Sequence, residues 1–225
     1  MKSCVIVPTR GRPENMARLA ASFVSTNAAV DLYAVIDNDD PKWDEYAKNE
    51  DYKCLPSENK TGGCAKALND AAVHLLDYSR FPLYDLYIFM GDDHLPRSLD
   101  WDKAFEKALL GKTGIAYGDD LLQGQNLPTA FAMTRDIVDE LRGITFPGCK
   151  HLYFDNFVKQ LGIDLDCFIY LPDVIIEHLH PAAGKAEMDE GYARVNQPKW
   201  YEEDLLTLQT YLRSTEYSDL VYALK

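Results

Sequence analysis

The sequence predicts an α/β fold, a mostly parallel central sheet with helices on both faces and a helical C-terminal appendage. Three observations carry this. From residue 1 to residue 120, short β-branched or fully apolar runs alternate with segments of helical period. Those runs lack the in-and-out alternation of a half-exposed strand and read as strands buried on both faces. With 47% hydrophobic and 12% aromatic residues in 225, the chain also has enough apolar side chain for a full core.

Residues 4–7 form a compact apolar run ended by Pro8. From Pro13 the pattern turns helical, with Met16, Leu19, Ala20 and Phe23 on one face. Pro13 suits a first helical turn and Glu14 complements the dipole there. Residues 32–36 predict a second strand, closed by the acidic stretch Asp37-Asn38-Asp39-Asp40, and residues 53–55 a short third. Ala65, Leu68, Ala72 and Leu75 mark another amphipathic helix after Gly62-Gly63. Residues 86–90 are a fully apolar strand that runs directly into Gly91-Asp92-Asp93-His94. A helix over 101–110 and a strand over 114–117 follow. The second half is less regular. It predicts strands at 129–133, 167–171 and 174–176, and helices at 136–141, 151–161, 200–212 and 217–224. The polar stretch 182–198 is expected to be a mobile loop. No repeat, low-complexity tract or Pro/Ser linker interrupts the chain. It reads as one domain over 1–198, with 199–225 as a helical appendage of that domain.

Twenty-three Lys and Arg against thirty-six Asp and Glu leave a net charge of −13. That acidity argues against non-specific, phosphate-driven nucleic-acid binding. No apolar run approaches the ~20 residues that span a bilayer, and the N-terminus lacks a secretory signal pattern. Five cysteines, at 4, 54, 64, 149 and 167, form no CxxC pair and suit reduced thiols. A soluble cytoplasmic protein is expected.

In a parallel sheet ligands sit outside the carboxyl ends of the strands. Three polar clusters fall there: Thr9-Arg10-Gly11-Arg12, Asp37 to Asp40, and Asp92-Asp93-His94. Two adjacent carboxylates just past a buried strand are costly unless solvated, paired or metal-bound. They suit a magnesium or manganese ion whose remaining ligands are phosphate oxygens. His178 and His180 follow the 174–176 strand at a spacing of two and can supply an imidazole to such a shell. Arg10 and Arg12, just before a helix N-terminus, suit a diphosphate. Lys60-Thr61-Gly62-Gly63 precedes another helix but lacks the full P-loop pattern. Asp155, flanked by aromatics, reads equally as a helix N-terminal Asp or as a partly desolvated general base. Asp119-Asp120 reads as a solvated turn.

Taken in order, these residues resemble an inverting, family-2-like glycosyltransferase of the GT-A fold. Val5-Ile6-Val7-Pro8-Thr9-Arg10-Gly11-Arg12-Pro13 is similar to that family's strand-one signature. Asp37-Asn38-Asp39 resembles the segment that holds the nucleotide base. Lys60-Thr61-Gly62-Gly63 with Ala65, Leu68 and Asn69 is similar to its nucleotide-side helix. Tyr87 to Asp93 occupies the DxD place, with Gly91 where the first acid usually stands. Phe154-Asp155 matches the catalytic pair without its Glu. Glu177-His178-Leu179-His180-Pro181, then Gly184-Lys185, resembles the strand whose first His completes the metal shell. The second half looks most like phage-encoded members, some of which decorate hydroxymethylated bases in DNA, which would place the protein in a host cytoplasm.

The resemblance implies a Rossmann-like nucleotide-diphospho-sugar transferase that needs Mn2+ or Mg2+. It implies donor contacts from Pro8, Thr9, Arg10, Arg12, Asp37, Asp39, Lys60, Asn69, Asp92 and Lys185. Asp93 and His178 would hold the metal, His180 being the second choice, and Asp155 would be the base. The partners implied are a nucleoside diphosphate sugar, UDP-linked, and a hydroxyl-bearing acceptor that is a small molecule, a glycan or a modified nucleic acid. Two alternatives stay open: a nucleotidyltransferase on a similar sheet, and a nucleotide-sugar or carbohydrate-binding module without turnover.

Overall fold

Strand β1 (Ser3–Thr9) runs through the middle of the molecule, with Cys4 to Val7 fully buried. In the computed structural model, which describes residues 1–59 and 63–225, β1 lies between β2 (Asp31–Asp37) and β4 (Leu86–Phe89), parallel to both. On the far side of β2 lies β3 (Lys53–Ser57), also parallel. Alternate residues of β1 feed opposite layers, as a strand's two-residue period dictates. Cys4 and Ile6 pack toward helix α3 (Cys64–Leu75). Val5 and Val7 pack toward α1 (Pro13–Ser25) and α4 (Trp101–Leu109). The buried faces of α1 and α3 are the ones their periodicity predicts. A single turn, α2 (Trp43–Tyr46), was not foreseen; its Tyr46 is fully buried.

Beyond β4 the sheet changes character. Its order is β3-β2-β1-β4-β7-β6-β8-β5, where β5 is His94–Pro96, β6 Ile115–Asp119, β7 Phe131–Thr134 and β8 Phe168–His178. β7 runs antiparallel to both β4 and β6, and β5 antiparallel to β8. Six of the eight strands still run the same way, as expected of a mostly parallel sheet, and only β7 and β5 run against them, a detail of direction that apolar runs do not signal.

The two strands expected at 167–171 and 174–176 are one. Against β6, Gly118 pairs Leu171 and Asp119 pairs Ile175, so residues 172–174 bulge out and accommodate Pro172. Gly118 makes the bulge possible, since a Cβ there would lie 2.3 Å from the Val174 carbonyl oxygen.

Helix α5 (Arg135–Leu141) follows β7, and α6 (Phe154–Asp164) starts three residues later than its periodicity suggests. The expected mobile loop contains α7 (Glu190–Val195), capped by Asp189, whose carboxylate accepts the Tyr192 N–H at 2.9 Å. The appendage consists of α8 (Pro198–Leu212) and α9 (Thr215–Leu224). Leu208, Tyr211, Tyr217 and Leu220 from these helices join the same core as Phe146 and Phe157. Among the described residues no helix is long and apolar enough to cross a membrane.

Candidate active site

The carboxyl ends of β1, β2 and β4 open into a cavity of about 290 Å³, at the lower edge of the roughly 300–1,000 Å³ usual for small-molecule sites. Its floor is the turn after β4. The β5–β8 register sets His94 directly opposite His178, and their rings stack with centroids 4.2 Å apart. Asp93 lies between them, Oδ1 3.2 Å from His94 Nδ1 and Oδ2 3.2 Å from His178 Nε2. One donor atom from each of the three falls within 4.8 Å of the others. His94 was visible in the sequence only as the tail of a polar cluster; its part depends on strand pairing.

Gly91 now has a physical reason. Its N–H donates to His94 Nδ1 at 2.9 Å. A Cβ at this position would stand 2.5 Å from Asp93 Oδ1 and 3.0 Å from His94 Nδ1. Any side chain at 91 would therefore run first into the Asp93 carboxylate and then into the His94 imidazole.

Burial raises the Asp93 pKa, but His178 and His94 overturn that and hold the carboxyl well below its usual range. Burial lowers His178, yet Asp120 and Asp93 together push it up to about 9. Its Nδ1 is buried without a hydrogen-bond partner, 3.8 Å from Asp120 Oδ2. Asp120 is not the solvated turn expected. It is buried, accepts N–H bonds from Leu122, Gln123 and Gly124, and takes the Thr129 hydroxyl at 2.7 Å. Of the two candidates it is His178 whose Nε2 reaches Asp93, at 3.2 Å, while His180 accepts the Ala182 N–H through Nδ1 at 3.1 Å and falls outside the three-residue cluster.

On the side of β1 and β2, Pro8, Thr9, Arg10, Arg12, Asp37 and Asp92 all line the cavity. Thr9 donates to Asp92 Oδ2 at 2.7 Å and Arg12 to its Oδ1 at 3.2 Å. Burial and the Asp93 charge raise the Asp92 pKa against these partners. Arg10 bonds both Asp37 and Asp39, though Asp39 itself is exposed and outside the cavity. Two expected donor contacts point elsewhere. Asn69 accepts the N–H groups of Ile144 and Thr145 and donates to the Thr145 carbonyl, pinning that turn rather than facing the cavity. Lys185 pairs with Glu177 at 2.9 Å, outside the lining. Lys60 lies outside the described residues.

The opposite wall comes from the loop before α6. Asp155 sits in the first turn of α6 with its carboxylate accepting the Asn156 N–H at 2.8 Å. The N-cap of that helix is Tyr153, and Asp155 inside the first turn meets one of its free N–H groups, as a helix N-terminal acid does, while also lining the cavity. Burial raises the Asp155 pKa to about 6. His151, also in the lining, is held neutral by burial, its pKa lowered to about 4. Over the top lies α7. Tyr192 donates its hydroxyl to Asp93 Oδ2, and the Arg12 guanidinium stands 4.6 Å above the Tyr192 ring while bonding Asp189 through Nε and Nη2. The sequence points to the 182–198 stretch as a loop able to close over the cavity, but singles out neither Tyr192 nor Asp189.

The eight-stranded sheet and its helices match the GT-A fold of solved glycosyltransferase structures. Three solved structures show the likeness. Staphylococcus aureus TarS has a TM-score of 0.58 at 14% identity, over 100% of this chain and 49% of TarS. Glucosyl-3-phosphoglycerate synthase from Mycobacterium tuberculosis, in complex with Mn2+, UDP and phosphoglyceric acid, gives 0.58 at 11%, over 93% and 78%. GalNAc-T7 with UDP, GalNAc and Mn2+ gives 0.61 at 16%, over 97% and 49%. The chain thus spans about half the length of TarS and of GalNAc-T7. No protein-family model matches the chain, and no curated protein matches it in sequence.

Proposed function

We propose that the protein is a metal-dependent, inverting glycosyltransferase that moves a sugar from a UDP-sugar to a hydroxyl acceptor. One observation carries this. A carboxylate–imidazole cluster and a carboxylate of raised pKa face the same cavity from different walls. The neighbours crystallised with UDP and Mn2+ support the choice of donor and metal.

The residues fit a divalent cation. Asp93, His178 and His94 offer one carboxylate and two imidazoles, a donor set that suits manganese better than magnesium, which prefers oxygen. Asp120 is placed behind His178 to orient its ring, the usual carboxylate–histidine support of a metal ligand. When bound, the metal neutralises charge on the leaving diphosphate. Arg12, and Arg10 once released from Asp37 and Asp39, add positive charge to the same group. Asp155 takes the proton from the acceptor hydroxyl as its oxygen attacks the anomeric carbon. The bond from that carbon to the diphosphate breaks on the opposite face, which inverts the configuration. Helix α7 covers the cavity and excludes water that would compete as acceptor. A hydroxymethylated base is a narrower choice of acceptor; with a charge of −13, the protein would engage DNA only through a local contact.

The test is a donor screen with and without Mn2+, read by UDP release, followed by Asp155→Asn. The variant is expected to keep UDP and Mn2+ binding while turnover falls by roughly 10²–10⁴-fold. Full activity in folded Asp155→Asn would remove the proposed base. Metal-dependent binding without any turnover would favour the binding-module alternative.

A further inference from the structure

Asp204 on α8 is fully buried, and among the described residues its hydrogen-bond partners are backbone N–H groups. Its Oδ1 accepts the Lys150 N–H at 3.1 Å, and its Oδ2 accepts those of His151 at 2.9 Å and Leu152 at 2.7 Å. A buried carboxylate is tolerable when its oxygens are met by N–H donors, and here three converge. The same short loop is held from the other side by the N-terminus of α3. Ala65 N–H donates to the Lys150 carbonyl at 3.2 Å, and Cys64 N–H to His151 Nδ1 at 3.2 Å. Gly63 allows the close approach, since a Cβ there would meet the Lys150 oxygen at 2.1 Å and the Trp200 ring at 2.8 Å. The loop then passes to Tyr153, at φ +63°, a conformation that a tyrosine keeps only where its surroundings impose it. Tyr153 carbonyl accepts the Phe157 N–H at 3.0 Å and so starts α6, the helix that presents Asp155.

We infer that Asp204 is a positioning residue: by gathering the amides of 150–152 it fixes the start of α6 and aims Asp155 into the cavity. The inference rests on the reading of Asp155 as the base. It makes α8 part of the active-site framework rather than an accessory to it.

Two measurements test it. In wild-type protein, amide hydrogen exchange at 150–152 should be slowed as strongly as in the core strand 86–89, although these residues form a loop. Exchange there at the rate of an open loop overturns the clamp, and this arm needs no variant to fold. The second is a double-mutant cycle with Asp204→Asn and Asp155→Asn, read by UDP release from a UDP-hexose that the donor screen shows to be turned over, with Mn2+ present. Asp204→Asn sets an amide NH₂ against backbone donors. It should lower turnover at least tenfold and leave UDP affinity within twofold. In the Asp155→Asn background, the same change should cost less than twofold, because its effect passes through Asp155. Equal costs in both backgrounds mean a purely structural Asp204 and overturn the inference. Unreduced turnover in Asp155→Asn alone overturns the base reading instead, and the two failures are thereby told apart.

Discussion

At the scale of single residues, the site turns on what stands next to Asp93. Asp93→Ala is expected to abolish manganese-dependent stabilisation by UDP, whereas His180→Ala should retain it; a thermal-shift titration reads both. A protein saturated at 100-fold its dissociation constant gains about 2.7 kcal/mol, so the loss is easily seen. As the proposed base, Asp155 is expected to set the pH dependence. Burial raises its pKa to about 6, above the ordinary ~3.9, and only the ionised form accepts a proton. Turnover should therefore fall about tenfold per pH unit below about 6, and a profile flat to pH 5 would rule Asp155 out. The stability sign is the reverse. The folded state favours the protonated carboxyl, so this contribution is present below about 4 and fades as pH rises through about 6. Asp93, His178 and Asp155 were legible because each follows or opens a predictable element. His94, Asp120 and Asp204 were not, since only strand register, a buried turn and helix docking give them their partners.

Among the elements, α7 is the one that reaches over to the carboxylate–histidine cluster. Tyr192 holds an oxygen of Asp93 that a cation would need. Tyr192→Phe removes one hydrogen bond, worth about 1 kcal/mol, and should tighten Mn2+ binding to the nucleotide-free protein roughly fivefold. Calorimetry showing unchanged or weaker binding would mean that Tyr192 supports the cluster instead of competing for it. The helix escaped the sequence reading because it spans under two turns and its cap, Asp189, resembles any polar loop residue. β8 was half-legible. Its apolar stretches were recognised, but Pro172 broke the pattern where the chain bulges, and a bulge leaves no periodic signal.

For the molecule as a whole, the C-terminal helices belong to the core. Leu208, Tyr211, Tyr217 and Leu220 are buried against it, and each such side chain is worth about 1.5–3 kcal/mol. Their sum is comparable to the whole stability of a domain, about 5–15 kcal/mol. Truncation after residue 197 should therefore abolish the cooperative thermal transition seen by circular dichroism; a sharp melt in the truncated chain would refute this. The β-to-α alternation, apolar strands and closing helices were all readable from residue types, whereas the antiparallel turn of β7 was not, because direction depends on connections through three dimensions. The loop at 150–152 carries one more consequence, for inheritance. The cavity is lined by two stretches of chain, within residues 8–94 and within residues 129–196. A recombinant that takes the Asp155 wall from a relative keeps that wall's own support only if the transferred piece reaches through α8. A shorter exchange that ends at α6 parts the three amides of 150–152 from the carboxylate they pair with, so this wall and α8 are expected to be inherited as one piece.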